Sequence, residues 1–152
     1  MALREIIFRG KRLDNGAWVY GSLIQVECED GSIVTAIFDR KDSGGDTEVH
    51  PSTVGQYTGL KDKDGKRIWE GDIVKYTFDN PDSPNATENG KKVRIGRVFF
   101  SDWRASFSVT AGRNCSSALN NDLFNYVRNG NRVEVVGNVH ETADLLEDDI
   151  DE

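Results

Sequence analysis

The run from Val54 to Val74 constrains this chain more than any other stretch. Tyr57 to Leu60 can open a strand, Asp64-Gly65 supplies a turn pair, and Ile68-Trp69 resumes the strand. Gly takes φ > 0 without steric cost and Asp tolerates it, so an Asp-Gly pair between apolar residues specifies a tight hairpin. Gly71-Asp72 is a second break, and Ile73-Val74-Lys75-Tyr76 is a β-branched, aromatic strand. A calcium loop is the competing reading of Asp62-Lys63-Asp64-Gly65. It would put Leu60 at the first ligand position and Gly71 at the last, where an EF-hand needs an acid and a bidentate Glu, so that reading fails.

The same grammar holds on both sides of this run. Ile6-Ile7-Phe8 leads to Asn15-Gly16, a strong hairpin signal, and then to Ala17-Trp18-Val19-Tyr20. Leu23 to Cys28 alternates loosely, and Asp30-Gly31 turns the chain into Ile33 to Phe38; Lys41 to Glu48 reads as a loop. Asp79 to Gly90 holds no large apolar residue and is expected to be a mobile loop between two strands. Val93 to Phe100 and Trp103 to Val109 read as strands, and Arg132 to Val139 as the last one. The one helical stripe runs from Ser116 to Val127, with Leu119, Leu123 and Val127 at four-residue spacing and Ser116 or Ser117 as cap. Thr142 can cap a short turn through Leu146.

About nine strands to one helix predict a mainly β fold, or α+β with one short helix. Barrel closure is one way to remove exposed edges. Residues 71–98, a strand, a long loop and a basic strand, suggest by analogy a small SH3-like barrel-type subdomain. Residues 1–146 are expected to form one domain, with 1–54 as an N-terminal hairpin part and 55–146 as a barrel-like part. Residues 147–152 are expected to be a disordered acidic tail.

Charge is distributed unevenly. The chain has 26 acids against 19 bases, net −7, but seven of the acids and no base lie in residues 141–152, so residues 1–140 balance at 19 each. Residues 91–104 carry Lys91, Lys92, Arg94, Arg97 and Arg104 against Asp102 alone, whereas residues 27–48 are acidic. Apolar runs are too short to span a membrane, and Met1 to Glu5 contains no apolar leader core, so a cytoplasmic location is expected. Cys28 and Cys115 form no CxxC and are expected to be small buried thiols.

Three stretches carry a family likeness: Arg4-Glu5-Ile6-Ile7-Phe8-Arg9, then Gly55 to Asp62 with Glu70 to Val74, then Val135 to Glu141 with Leu145-Leu146. With these motifs the chain resembles the YopX-like proteins of bacteriophages and prophages. The resemblance implies a small, phage-borne, mainly β protein in bacterial cells. It implies no activity, since the family is mostly of unknown function. The insert at Asp79 to Gly90 and the acidic end depart from the pattern.

The candidate chemistry is sparse. His50 and His140 have no ligand spacing, so no metal or cofactor site is assigned. A Cys115–His140 dyad would have to assemble in space. Glu70 and Asp72 bracket Gly71 and would point the same way on an extended chain. Lys91, Lys92, Arg94 and Arg97 lie near Phe99, Phe100 and Trp103, the pairing of cations and rings that single-stranded nucleic acid uses. Alternation suggests instead that the rings are core and the charges a solvated face, with Lys92 and Arg94 together. These residues are the tentative anion or nucleic-acid contacts. No catalytic residue is assigned. The leading expectation is a non-enzymatic binding or assembly module with an unknown protein partner or a second copy of itself. A nucleic-acid-binding accessory protein is the alternative, and a small hydrolase using Glu70 and Asp72 comes third. The acidic tail could compete with an anionic partner for the basic strand.

Overall fold

Strand after strand pairs antiparallel with its neighbour. The computed structural model describes residues 4–39, 45–110 and 122–146. The chain divides into two units, residues 1–59 and 60–152.

In the first unit, β1 (Phe8–Lys11), β2 (Trp18–Glu27), β3 (Ile33–Asp39) and β4 (Asp46–Glu48) are joined by β5, Gly55–Lys61, in the order β4-β3-β2-β1-β5. The Asn15-Gly16 turn closes as expected: Arg12 N donates to the Ala17 carbonyl and Ala17 N to the Asn15 side chain. Two expectations are corrected. The stretch 17–28 is not two strands but one ten-residue strand, because Gly21 lets β3 come close; a Cβ there would sit 1.9 Å from the Phe38 carbonyl oxygen. Residues 46–48, read as loop, form a strand because β3 offers them a ladder at Ala36, Ile37 and Phe38. One face of this sheet packs Val19, Ile37 and Val49 with Phe8, Leu23 and Val54. Cys28, expected to be buried, is a half-buried free thiol beside the 28–32 turn.

The last residues of β5, Leu60 and Lys61, belong to the second unit and turn into β6 (Arg67–Trp69). β7 (Asp72–Tyr76), β8 (Arg94–Ser101), β9 (Ser106–Val109) and β10 (Glu134–Asn138) form a second sheet in the order β10-β7-β8-β9. A β-bulge interrupts β10 between Val135 and Gly137. This sheet is open, with β9 and β10 at its edges. No closed barrel forms among the described residues, so the barrel expectation gives way to two antiparallel sheets. The mainly β expectation stands. Val74, Tyr76, Val98, Val109 and Val133 meet Ile68, Leu123 and Tyr126 in one core. Each fully buried Val or Leu there is worth about 1.5–3 kcal/mol.

The helix α1 covers Leu123–Arg128, capped by the Asp122 carboxylate, which accepts from Phe124 N at 3.0 Å. The expected caps Ser116 and Ser117, and Leu119, lie outside the described residues. Residues 143–146 make the expected short turn. Thr142, however, turns its hydroxyl back to Asn138, accepting from its amide and donating to its carbonyl. The insert 77–93 is a loop as its composition predicts, but a hydrogen-bonded one. Asp79 Oδ2 accepts from the amide and hydroxyl of Thr87 at 2.9 Å each, and Asp79 N donates to the Gly90 carbonyl. The tail at 147–152 lies outside the described residues.

Candidate functional site

Acids come first, because three of them are already employed. Asp62 is buried, and its two oxygens accept from the amides of Asp64, Lys66 and Val135 at 2.9–3.0 Å. Its carboxylate stabilises the hairpin turn and ties that turn to β10, the opposite of an outward-facing calcium ligand. Asp72 is only 2% exposed, and its Oδ2 accepts from Trp69 N at 2.8 Å. Glu70 and Asp72 do not share the face of an extended strand. Gly71 has φ of +93° and folds Trp69 to Asp72 into a tight turn. Gly71 N donates to the Val98 carbonyl and its own carbonyl accepts from Val139 N, so the turn is tied to two strands. Asp79, on the surface, organises the insert, and the hydrogen bonds from Thr87 hold its carboxyl below the ordinary carboxylate range, with Arg132 and Arg94 adding smaller attractions.

The two histidines sit on different segments. His50 precedes the 3-10 turn at Pro51–Thr53, and His140 follows β10 with its amide on the Asn138 side chain. Among the described residues no three His, Cys, Asp or Glu side chains gather as metal ligands. Cys115, and with it the Cys115–His140 dyad, lies outside the described residues.

The basic set is dispersed. Lys91 and Lys92 precede β8, in the turns that close the insert, where their amides donate to Thr87 and Asn89 carbonyls. Lys91 Nζ lies 3.7 Å from Glu88. Arg94 pairs across the ladder with Tyr76, and Gly96 with Val74, so Arg94 stands on the core face. Its guanidinium stacks 3.6 Å over Phe78, and it donates to the Lys92 carbonyl and the Asn89 side chain. Arg97, three residues on, projects from the opposite face, exposed, 5.6 Å over the Phe99 ring. The expected shared face of Lys92 and Arg94 is therefore replaced by a loop lysine and a stacked arginine.

Arg132 was not singled out by any sequence pattern. Its guanidinium donates to the carbonyls of Thr77, Phe78 and Asn129, pinning the start of the insert to the end of α1. Beside it Phe78 stacks on Tyr126 at 6.4 Å, and Tyr76 packs 4.8 Å from Tyr126, whose buried phenol is pushed up in pKa. Two open clefts flank Arg132: one of about 360 Å³ with Asp79, Asn80 and Asn129, the other of about 590 Å³ with Lys63, Lys75 and Glu134. The three carbonyls occupy the guanidinium, so it shapes these clefts instead of waiting for an anion.

The rings of the basic segment divide. Phe107 packs against the core, and Phe100 meets it edge-on at 5.3 Å. Trp103, expected in the core, is 80% exposed at the tip of the β8–β9 hairpin. Ala105 in the same turn sits at φ of +52°, a left-handed conformation costing a non-glycine residue about 1 kcal/mol. Arg104 lies beside Trp103 in this turn, its amide on the Ser101 hydroxyl. The tip thus presents the Trp103 indole between the exposed Asp102 and Arg104, with the Phe100 ring just before it on the other face of β8 from Arg97.

The YopX protein family matches residues 7–147, nearly the whole chain, and the chain belongs to that family. Among solved structures, the crystal structure of protein EF1440 from Enterococcus faecalis is similar with a TM-score of 0.50 and 19% identity, covering 95% of this chain and 99% of that one. At that identity the likeness is one of fold. No curated protein matches the chain.

Proposed function

We propose that this YopX-family chain is a non-enzymatic binding or assembly module of phage or prophage origin, acting in the bacterial cytoplasm and engaging a protein partner through the tip of the β8–β9 hairpin. The observation that carries the reading is Trp103, left 80% exposed on a turn that also holds Ala105 in a strained conformation. Trp and Arg are the side chains that most often anchor protein interfaces, and Trp103 with Arg104 offers both on a protruding element. The acids that could serve catalysis are spent on backbone amides at Asp62, Asp72 and Asp79. The test is a tagged pull-down from phage-carrying host lysate with nuclease present, comparing the native chain with Trp103→Ala. A stoichiometric protein partner lost in the variant supports the reading. Retention of that partner by the variant defeats it.

A second reading has its own observation. Arg97 is exposed beside Phe99 on the face away from the core, which is the arrangement that stacks a base and pairs a phosphate. In that reading Lys91, Lys92, Arg94 and Arg97 contact nucleic acid. Reversing Arg94 and Arg97 to Glu should then abolish oligonucleotide binding and flatten its salt dependence. Equal, salt-independent retention by both forms would reject it.

A further inference from the structure

Three asparagines of this chain precede a glycine: Asn15, Asn89 and Asn129. Asn-Gly is the pair most open to spontaneous deamidation, because glycine has no side chain to keep its nitrogen from the asparagine carboxamide. That nitrogen must lose its proton and reach Asn Cγ, so a bond that holds either group slows the reaction. In two of the pairs both groups are held. Gly16 N donates to the Arg12 carbonyl at 3.0 Å, and Asn15 Oδ1 accepts from Ala17 N at 2.9 Å. Gly90 is buried, its N donates to the Thr87 hydroxyl at 2.8 Å, and Asn89 Oδ1 accepts from Arg94 at 3.3 Å. The third pair, at the end of α1, is exposed at both residues. Among the described residues, neither the Asn129 carboxamide nor Gly130 N takes part in a hydrogen bond. The peptide between them is bonded at its oxygen instead: the Asn129 carbonyl accepts from Arg132 Nη1. When the Gly130 N–H ionises, the charge spreads onto that oxygen, where a guanidinium already stands to stabilise it.

We propose that Asn129-Gly130 is a self-modifying peptide of the native protein, with Arg132 as its activating group. Gly130 N gives its proton to water or hydroxide and attacks Asn129 Cγ. The new C–N bond displaces the side-chain nitrogen as ammonia and closes a five-membered imide. Closure requires Asn129 to rotate from its ψ of 87°, which no bond from its carboxamide or from Gly130 N opposes. Water then opens the imide at either carbonyl. Opening at the Cγ carbonyl gives aspartate. Opening at the main-chain carbonyl gives isoaspartate, with the chain running through Cβ and Cγ and the freed carboxylate beside Arg132. The guanidinium on that oxygen favours the second course, since it stabilises the oxyanion that water's attack creates there. Either product turns a neutral residue into an anion in the cleft that Asn129 lines with Asp79, Asn80 and Arg132. This stands apart from the binding-module reading and survives its failure.

Ageing the purified full chain in neutral buffer tests this, with peptide mass mapping that resolves isoaspartate from aspartate. In the native chain Asn129 should convert about fivefold faster than Asn15 or Asn89, the factor that first breaking one amide hydrogen bond imposes on the other two. In urea the three rates should converge, and the isoaspartate share at 129 should fall to that of the other two. Arg132→Gln should slow Asn129 and lower its isoaspartate share, with Asn15 in the first unit as the unchanged reference. A native chain in which Asn129 is not the fastest overturns the inference, as does the same ranking in urea, which would make sequence and not fold the cause. Conversion of Asn129 in a folded Arg132→Gln variant at the native rate or above also overturns it. If that variant loses the native circular dichroism, the native product ratio decides: an isoaspartate share at 129 above its value in urea supports the role of Arg132, and an equal share defeats it.

Discussion

Asp62 and Asp79 each build a loop by accepting backbone N–H groups, yet they differ in what else depends on them. Asp62 is buried, serves three amides, and one of them, Val135, lies 73 residues away in the strand that pairs with β7. Asp79 stands on the surface and serves the amide and hydroxyl of Thr87, eight residues away. A buried acceptor whose removal strands several donors costs the desolvation of each, whereas an exposed one returns its donors to water. The same carboxylate–amide chemistry thus holds the second unit together in one place and only arranges a loop in the other.

That contrast can be broken by substitution. Asp62→Ala should have the largest effect, about 3 kcal/mol of lost stability from three amides without acceptors, read as a lower midpoint in urea unfolding. Asp62→Asn can keep the bonds at Oδ1 but presents an amide group to the Val135 N–H, so about 1–2 kcal/mol should be lost. An unchanged midpoint in both would show that the tie to β10 carries no weight. Gly90→Ala should act next, and locally. A Cβ there would lie 1.9 Å from the Asp79 carboxylate, so the insert should become susceptible to limited proteolysis while global unfolding shifts little. Asp79→Ala should reproduce that cleavage pattern.

The smallest effect is in pH. Asp79 has a folded pKa below its ordinary value of 3.8, so its contribution to the closed insert is present in full above that value. It is lost as the pH falls through the lowered one. The Thr87 amide resonance should therefore titrate with a midpoint below 3.8, and Asp79→Asn should abolish the titration. A midpoint above 3.8 would contradict the geometry at Thr87.

How much of this was legible in the sequence follows from how local each cause is. Asn15-Gly16, Asp30-Gly31 and Asp64-Gly65 announce their turns within two residues, and the strands beside them were read at nearly the right places. The strand at 46–48 has no apolar signal of its own; its ladder comes from β3. Arg94 and Arg97, three residues apart, fall on opposite faces by strand alternation alone; that Arg94 takes the core face follows only from its register with Tyr76. Trp103 reads in the sequence as the first residue of the next strand and as a core ring, but that strand begins only at Ser106, so Trp103 falls in the turn. Arg132 gave no signal, since its three carbonyl partners come from two separate segments.

The tie between Asp62 and Val135 also sets an order in time. Residues 1–59 contain every strand of the first unit's ladder through Gly55 and Gln56, so that ladder can close once they have left the ribosome. The core around Ile68 and Val74 needs Leu123, Tyr126 and Val133, and β7 needs β10. From the emergence of β7 until β10 follows, then, the strands of the second unit must wait with an apolar face uncovered, the condition under which nascent β-rich chains aggregate. The nascent second half is for that interval the part of this protein most in need of a chaperone.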